Sequence, residues 1–188
     1  IQEAITRGLV YASSGNSIAA DAEIKKIDRL IKDTKETKDI MTLVLKAQNA
    51  SLKKDRNQLN KIFQTMGDVE ETKMLSYRGL YTLSKNSKNT QKSIEILKDA
   101  ETYNSNEPWV MEEMLKCYLM TKNWIGAADI IEKKYKNKLI QRKDYNIQKA
   151  IILTAHAKSI EEDSPDEALN FALEANKLDK KQIIATLV

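Results

Sequence analysis

Wherever this chain is dense in apolar residues, they return at intervals of three and four, the spacing that lines one face of an α-helix. Ala4, Ile5, Gly8, Leu9, Tyr11 and Ala12 form the first such face, which ends in the turn Ser13-Ser14-Gly15-Asn16. A second face follows at once on Ala19, Ala20, Ile24, Ile27 and Ile31, and fades into the polar run 32–38. Two amphipathic helices joined by a short turn make an αα-hairpin. A sheet would need alternation in twos, which this sequence does not supply. Only five Gly and two Pro interrupt the 188 residues. The rest, dominated by Lys, Glu, Leu, Ile and Ala, suits long helices with polar outer faces.

The hairpin recurs. The periodicity predicts a single domain over 1–188 with hairpins at roughly 1–32, 37–67, 70–104, 108–137 and 142–178, and the start of a further helix at 182–188. The second unit turns at Lys53-Lys54-Asp55, and the fourth, opened by Pro108, turns at Lys122-Asn123. The third loops from Lys85 to Asn89, a stretch that reads as longer than the others. In the fifth, Ser164-Pro165-Asp166-Glu167 predicts a helix start with Ser164 as cap and Glu167 completing a capping box.

Aligning the return helices on Ala20, Leu59, Ser93, Ala127 and Ala168 gives spacings of 39, 34, 34 and 41 residues. These lie close to the tetratricopeptide period of about 34 residues. Gly8, Tyr11, Gly15, Ala20 and Ile24 resemble that family's small, aromatic, turn, small and bulky positions; Tyr118, Ala127 and Ile131 repeat part of the pattern. Ala168, Ala172, Ala175 and Leu178-Asp179 resemble its closing segment. The departures are Arg7 and Lys46, where the family prefers apolar residues. The resemblance implies an all-α fold, a right-handed α-solenoid of about five degenerate hairpins. A hairpin cannot bury its apolar face alone, so stacking would create both the core and a curved surface.

The resemblance also implies that first helices line a concave, peptide-binding face. Mapped here, that face comprises Met41, Val44, Gln48, Lys73, Ser76, Leu80, Trp109, Glu112 and Lys116. The competing expectation for each is a core position one turn away. The implied function is a protein-interaction scaffold, and no enzyme.

Thr6-Arg7-Gly8-Leu9 with Gly15-Asn16, Tyr77-Arg78-Gly79-Leu80, Glu107-Pro108-Trp109, Asn123-Trp124 with Ala127, and 168–175 further resemble the HemY-type family. These are bacterial inner-membrane proteins in which anchor helices precede degenerate tetratricopeptide repeats. The resemblance implies an accessory protein tied to late protohaem synthesis, partnered with haem-pathway enzymes and anchored by a segment upstream of this chain. The chain opens at Ile1, directly in helical pattern, as a piece of a longer protein would. The unrelated flavin-dependent oxidase that shares the name is a different protein, since no clustered glycines for a dinucleotide occur here.

Residue chemistry narrows the classes. A net charge of +4 from 31 basic and 27 acidic residues, largely intermixed, gives little reason to invoke nucleic acid. The basic stretch Lys133, Lys134, Lys136, Lys138, Arg142 and Lys143 reads as a solvated helix end, with an acidic partner or lipid headgroup as the alternative. Apolar runs such as Ala150 to Leu153 fall far short of the roughly 20 residues a spanning helix needs. One Cys and one His exclude a zinc set or a Cys-His nucleophile, and no cofactor is expected. Cys117 is expected to pack as a small apolar residue. The acidic pairs Glu70-Glu71 and Glu161-Glu162 fit helix starts and solvation better than acid–base work. Trp124 is expected in the core, with ligand stacking as the alternative for it and Trp109. Two other readings stay open: a self-associating module, and a haem or porphyrin carrier using His156 or Cys117 as axial ligand.

Overall fold

The computed structural model describes residues 1–34 and 40–179. The described residues form no strand. Their helices are α1 (Gln2–Ser13), α2 (Ser17–Thr34), α3 (Ile40–Leu52), α4 (Arg56–Gly67), α5 (Lys73–Asn86), α6 (Thr90–Tyr103), α7 (Pro108–Met120), α8 (Trp124–Lys136), α9 (Arg142–Ile160) and α10 (Pro165–Leu178). A 3-10 turn, Glu70–Thr72, leads into α5. The described residues are all-α; α1 packs with α2, α3 with α4, α7 with α8 and α9 with α10, and a three-residue turn joins α5 to α6. The further helix expected at 182–188 lies outside the described residues.

The first four hairpins close with one device. The middle residue of each three-residue turn is left-handed: Gly15 at φ 80°, and Lys54, Lys88 and Lys122 each at φ 56°. The amide of the next residue then reaches back five positions, Asn16 to Tyr11 at 2.8 Å, Asp55 to Ala50 at 3.0 Å, Asn89 to Ser84 at 3.2 Å and Asn123 to Tyr118 at 2.9 Å. This closes the end of the first helix on its own last carbonyls. The same Asn or Asp caps the second helix, its side-chain oxygen accepting from the amide of Ala19, Gln58, Lys92 or Gly126 at 2.9–3.1 Å. One residue thus ends one helix and begins the next.

Two expectations are corrected here. The third turn is no longer than its counterparts, because Lys85 and Asn86 stay in α5 and Lys88 takes the left-handed role. The capping box at Ser164 does not form: its side chain makes no cap bond. That start is held by Pro165 in the first turn and by the Ala168 amide on the Ser164 carbonyl at 2.9 Å.

Four residues past each cap stand Ala20, Leu59, Ser93, Ala127 and Ala168, and all five are buried. The chain divides into two compact units, Ile1–Ile96 and Leu97–Val188. In the first, α3 packs against both α1 and α2, and Leu45 is fully buried among Ala4, Ile5, Ala12, Ala20 and Ile27. Burial of a side chain this size contributes about 1.5–3 kcal/mol. A second cluster joins Leu43 and Ala50 of α3 to Leu59, Ile62 and Met66 of α4. Gly79 on α5 meets the Phe63 ring so closely that a Cβ there would lie 2.4 Å from its carbons. In the second unit α8 packs between α7 and α9, and α9 packs on α10. Ala127, Ile131 and Ile152 form one core with Trp124 against them, and Ala150, Leu153 and Ala175 form another.

Gly15→Ala is expected to destabilise the chain by about 1 kcal/mol, because alanine resists the left-handed region that Gly15 occupies. Lys122→Gly, where the residue already bears that strain, should be neutral or stabilising by up to ~1 kcal/mol. Urea unfolding of both variants checks this opposition of sign. Gly79→Ala should cost about 1–3 kcal/mol through overpacking on Phe63, read in the same way.

Candidate protein-interaction surface

The residues mapped to a binding face sit on α3, α5 and α7 at a common spacing of three then four, so each set shares one helical face. In the first unit, Met41 and Gln48 line α3 beside Val44, which is half-buried against the Leu43 and Leu59 cluster; Met41 is 41% exposed and Gln48 keeps part of its surface open. On α5, Lys73 lies 3.7 Å from Glu70 and Leu80 is half-buried. Ser76 is 2% exposed and leaves the set. Its hydroxyl packs where Gly67 passes, 3.1 Å from the place a Cβ would take there, so no partner can touch it. In the second unit, Trp109 is half-buried, and Lys116 is exposed with its ammonium 2.6 Å from Glu113. That hydrogen bond, followed by the charge of Glu113, holds the Lys116 pKa above its ordinary value. Glu112 pairs with Lys134 of α8, which is itself buried. Its carboxylate serves the hairpin before it can serve a partner.

Three lysines of the basic stretch, all on α8, are likewise paired internally. Lys133 reaches Glu101 at 2.6 Å, Lys134 reaches Glu112, and Lys136 reaches Glu132 at 2.9 Å. Lys149 of α9 stands 3.5 Å from both Glu132 of α8 and Glu174 of α10, and its ammonium donates to the Tyr145 hydroxyl at 3.2 Å. Burial opposes its charge most strongly, yet Tyr145, Glu174 and Glu132 together lift its pKa above the ordinary value.

The haem-ligand candidates are both packed. His156 lies against Phe171, ring centroids 4.3 Å apart, and Cys117 is buried. Trp124 belongs to the α7–α9 core, its indole nitrogen buried without a hydrogen-bond partner among the described residues. Glu70, Glu71, Glu161 and Glu162 lie at turns, all four exposed. Among the described residues, no three His, Cys, Asp or Glu side chains converge as a metal site, and no helix is long and apolar enough to cross a membrane.

Sequence reasoning passed over one feature. Between α9 and α10 runs an open groove of about 490 Å³, lined by Ala157, Ala168, Ala172 and the exposed Leu169 and Leu173. Its signal was present in the register: Leu169 and Leu173 lie four apart, beside the stripe of Ala168 and Ala175.

No family model and no curated protein matches the sequence. Among solved structures, the chain is similar to a crystal structure of kinesin light chain TPR-like repeats from Podosopora anserina, at 12% identity and a TM-score of 0.46, with 96% of this chain and 95% of that chain covered. A single-substitution form of the same repeats gives 12% identity and a TM-score of 0.47 over the same shares. The repeat assignment rests on the turns and buried positions of this chain itself.

The carboxylate of Glu132 titrates below its ordinary range, chiefly because Lys136 donates a hydrogen bond to it, then through the charges of Lys136 and Lys149. A lowered folded pKa contributes stability above the unfolded value of about 4.3, and that stability is lost as pH falls through the folded value. Glu132→Gln is therefore expected to be less stable than the parent at neutral pH and to close the gap on acidification below about pH 4. Urea midpoints measured across that range check it; a gap that stays constant with pH would refute the assignment.

Proposed function

We propose that this chain is a protein-interaction scaffold that offers the outward faces of successive first helices to a polypeptide partner. The observation that carries the reading is the state of α3, where Met41 stays 41% exposed and Gln48 partly so on a helix whose other faces hold Leu43, Leu45, Asn49 and Ala50 buried. An apolar anchor beside polar groups on a rigid helix is what a docking peptide requires. Lys73, Leu80, Trp109 and Lys116 extend the surface on α5 and α7, while Glu112 contributes by holding Lys134. No catalytic role is assigned to any residue. The five hairpins are read as one repeat domain.

The narrower reading is that of a HemY-type accessory protein, held at a bacterial inner membrane by an upstream anchor and partnered with enzymes of late haem synthesis. The short segments that resemble that family support it, among them the Tyr77-Arg78-Gly79-Leu80 stretch, whose glycine is the close-contact residue on Phe63.

Met41→Asp combined with Gln48→Arg is expected to abolish partner capture with the melting temperature unchanged within a few degrees, because neither side chain is buried. Affinity co-purification from the native host, with partners identified by mass spectrometry, reads the first; calorimetry reads the second. Undiminished capture of the same partners by the double variant would refute this surface. Recovery of proteins unconnected with haem synthesis would remove the narrower reading and leave the scaffold.

A further inference from the structure

The end of the α7–α8 hairpin, in the second unit, places three large aliphatic side chains in solvent within a short stretch: Met120 is 75% exposed, Ile125 61% and Leu119 40%. The aromatic residues of the same stretch are turned inward. Tyr118 and Trp124 pack against the core of Ala127, Ile131 and Ile152. Between the aliphatic residues stands Lys122, exposed, left-handed at φ 56° and without a bonded partner among the described residues. Glycine would hold that conformation without strain, yet a cation occupies it. From Met114 to Ala128 the sequence holds no acid, and the first on α8, Asp129, lies one turn beyond Ile125. The other hairpin ends lack this combination. Val10 and Ile18, 60% and 83% exposed, flank the first turn, where Gly15 stands in place of a lysine. At the second, Leu52 and Lys54 are followed by Asp55; the third is polar, Ser87-Lys88-Asn89, and the fifth acidic, Glu161-Glu162-Asp163.

Exposed aliphatic and basic side chains with no acid among them complement a surface that is anionic at its face and apolar beneath, which is the make-up of an acidic lipid bilayer. Protein contacts draw their energy chiefly from aromatic residues and arginine. Here the aromatics serve the hairpin core, and the stretch holds no arginine. Backbone that enters a lipid interface must also carry its own hydrogen bonds. The amides of Thr121, Lys122 and Asn123 reach back to the carbonyls of Cys117, Leu119 and Tyr118 at 2.9–3.2 Å, and the Thr121 hydroxyl donates to the Cys117 carbonyl at 2.9 Å. On the far side of the turn, the Gly126 amide donates to the Asn123 side chain at 2.9 Å and the Ala127 amide to the Asn123 carbonyl at 3.0 Å. We propose that the end of the α7–α8 hairpin dips into the interface of an anionic lipid bilayer. Met120, Ile125 and Leu119 enter the acyl boundary, and Lys122 extends its stem to a headgroup phosphate. This contact is made by the repeats themselves and is independent of any upstream anchor.

Co-sedimentation of the chain of 188 residues with vesicles tests this, using phosphatidylcholine alone and an equal mixture of phosphatidylcholine and phosphatidylserine. The chain is expected to bind the mixed vesicles about fivefold or more tightly than the neutral ones. Met120→Gln with Ile125→Gln, which changes no charge, should weaken binding to the mixed vesicles about tenfold. Lys122→Gly should weaken it about fivefold, the worth of one lysine near such a surface. Melting temperatures of both variants should stay at or above that of the parent within a few degrees, because all three side chains are exposed. A cysteine carrying an environment-sensitive dye gives a second reading: at Met120→Cys the emission should shift to the blue on mixed vesicles, and at Leu169→Cys on α10 it should not. The native Cys117 is buried and takes no label. Failure of the parent chain to bind the mixed vesicles, undiminished binding by either variant, or equal dye shifts at the two positions would each overturn the proposal. A blue shift at Met120→Cys that grows with protein concentration in the absence of vesicles would also overturn it, and would assign the hairpin end to a second copy of this chain.

Discussion

The first four hairpins depend on a turn in which one backbone residue accepts the left-handed conformation so that its neighbour can serve two helices. For a residue with a Cβ, that conformation costs about 1–2 kcal/mol. It is offset by the closing backbone bonds, at about 0.5–1.5 kcal/mol each, and by a side-chain cap of about 1 kcal/mol. Glycine occupies the position at Gly15, while Lys54, Lys88 and Lys122 occupy it in the next three turns. The lysines are exposed, so the strain stays in the backbone and does not spread into packing.

Given those turns, the energetic weight falls on apolar burial and the choice of neighbour falls on charge. Leu45, Met66 and Ile131 are fully buried, each contributing about 1.5–3 kcal/mol. The ion pairs between helices, Arg7 with Glu23, Lys46 with Asp28 and Lys149 with Glu132 and Glu174, are partly solvated and contribute at most about 1 kcal/mol each. Their value is positional. Arg7 and Lys46, which depart from the apolar pattern of the repeats, each extend a flexible stem toward an acid on an adjacent helix, so the seam is specified where a methyl group would only have filled it.

How far this was legible varies with the range of the interaction. Gly15-Asn16, Lys54-Asp55 and Lys122-Asn123 could be recognised as turns because the cap and the left-handed residue are sequence neighbours. Lys88-Asn89 uses the same chemistry but was hidden by Lys85 and Asn86, polar residues that a helix end accommodates as readily as a loop does. Ser76 was placed on a surface by its position in the repeat pattern; the close approach of Gly67 buries it, and nothing within a few residues of Ser76 announces that. Glu112 looked available for the same reason, until Lys134, 22 residues away, claimed its carboxylate.

The sequence alone determined the helices, the short turns between them and the buried residue four places after each cap, because periodicity, turn chemistry and capping act over distances of a few residues. Which stripe of each helix is covered was decided only in three dimensions. Met41 is open while Val44 packs against α4, and Ala168 is buried while Leu169 beside it is 58% exposed. Residues of like character meet different fates there because burial depends on the neighbouring helix, whose position no local pattern encodes.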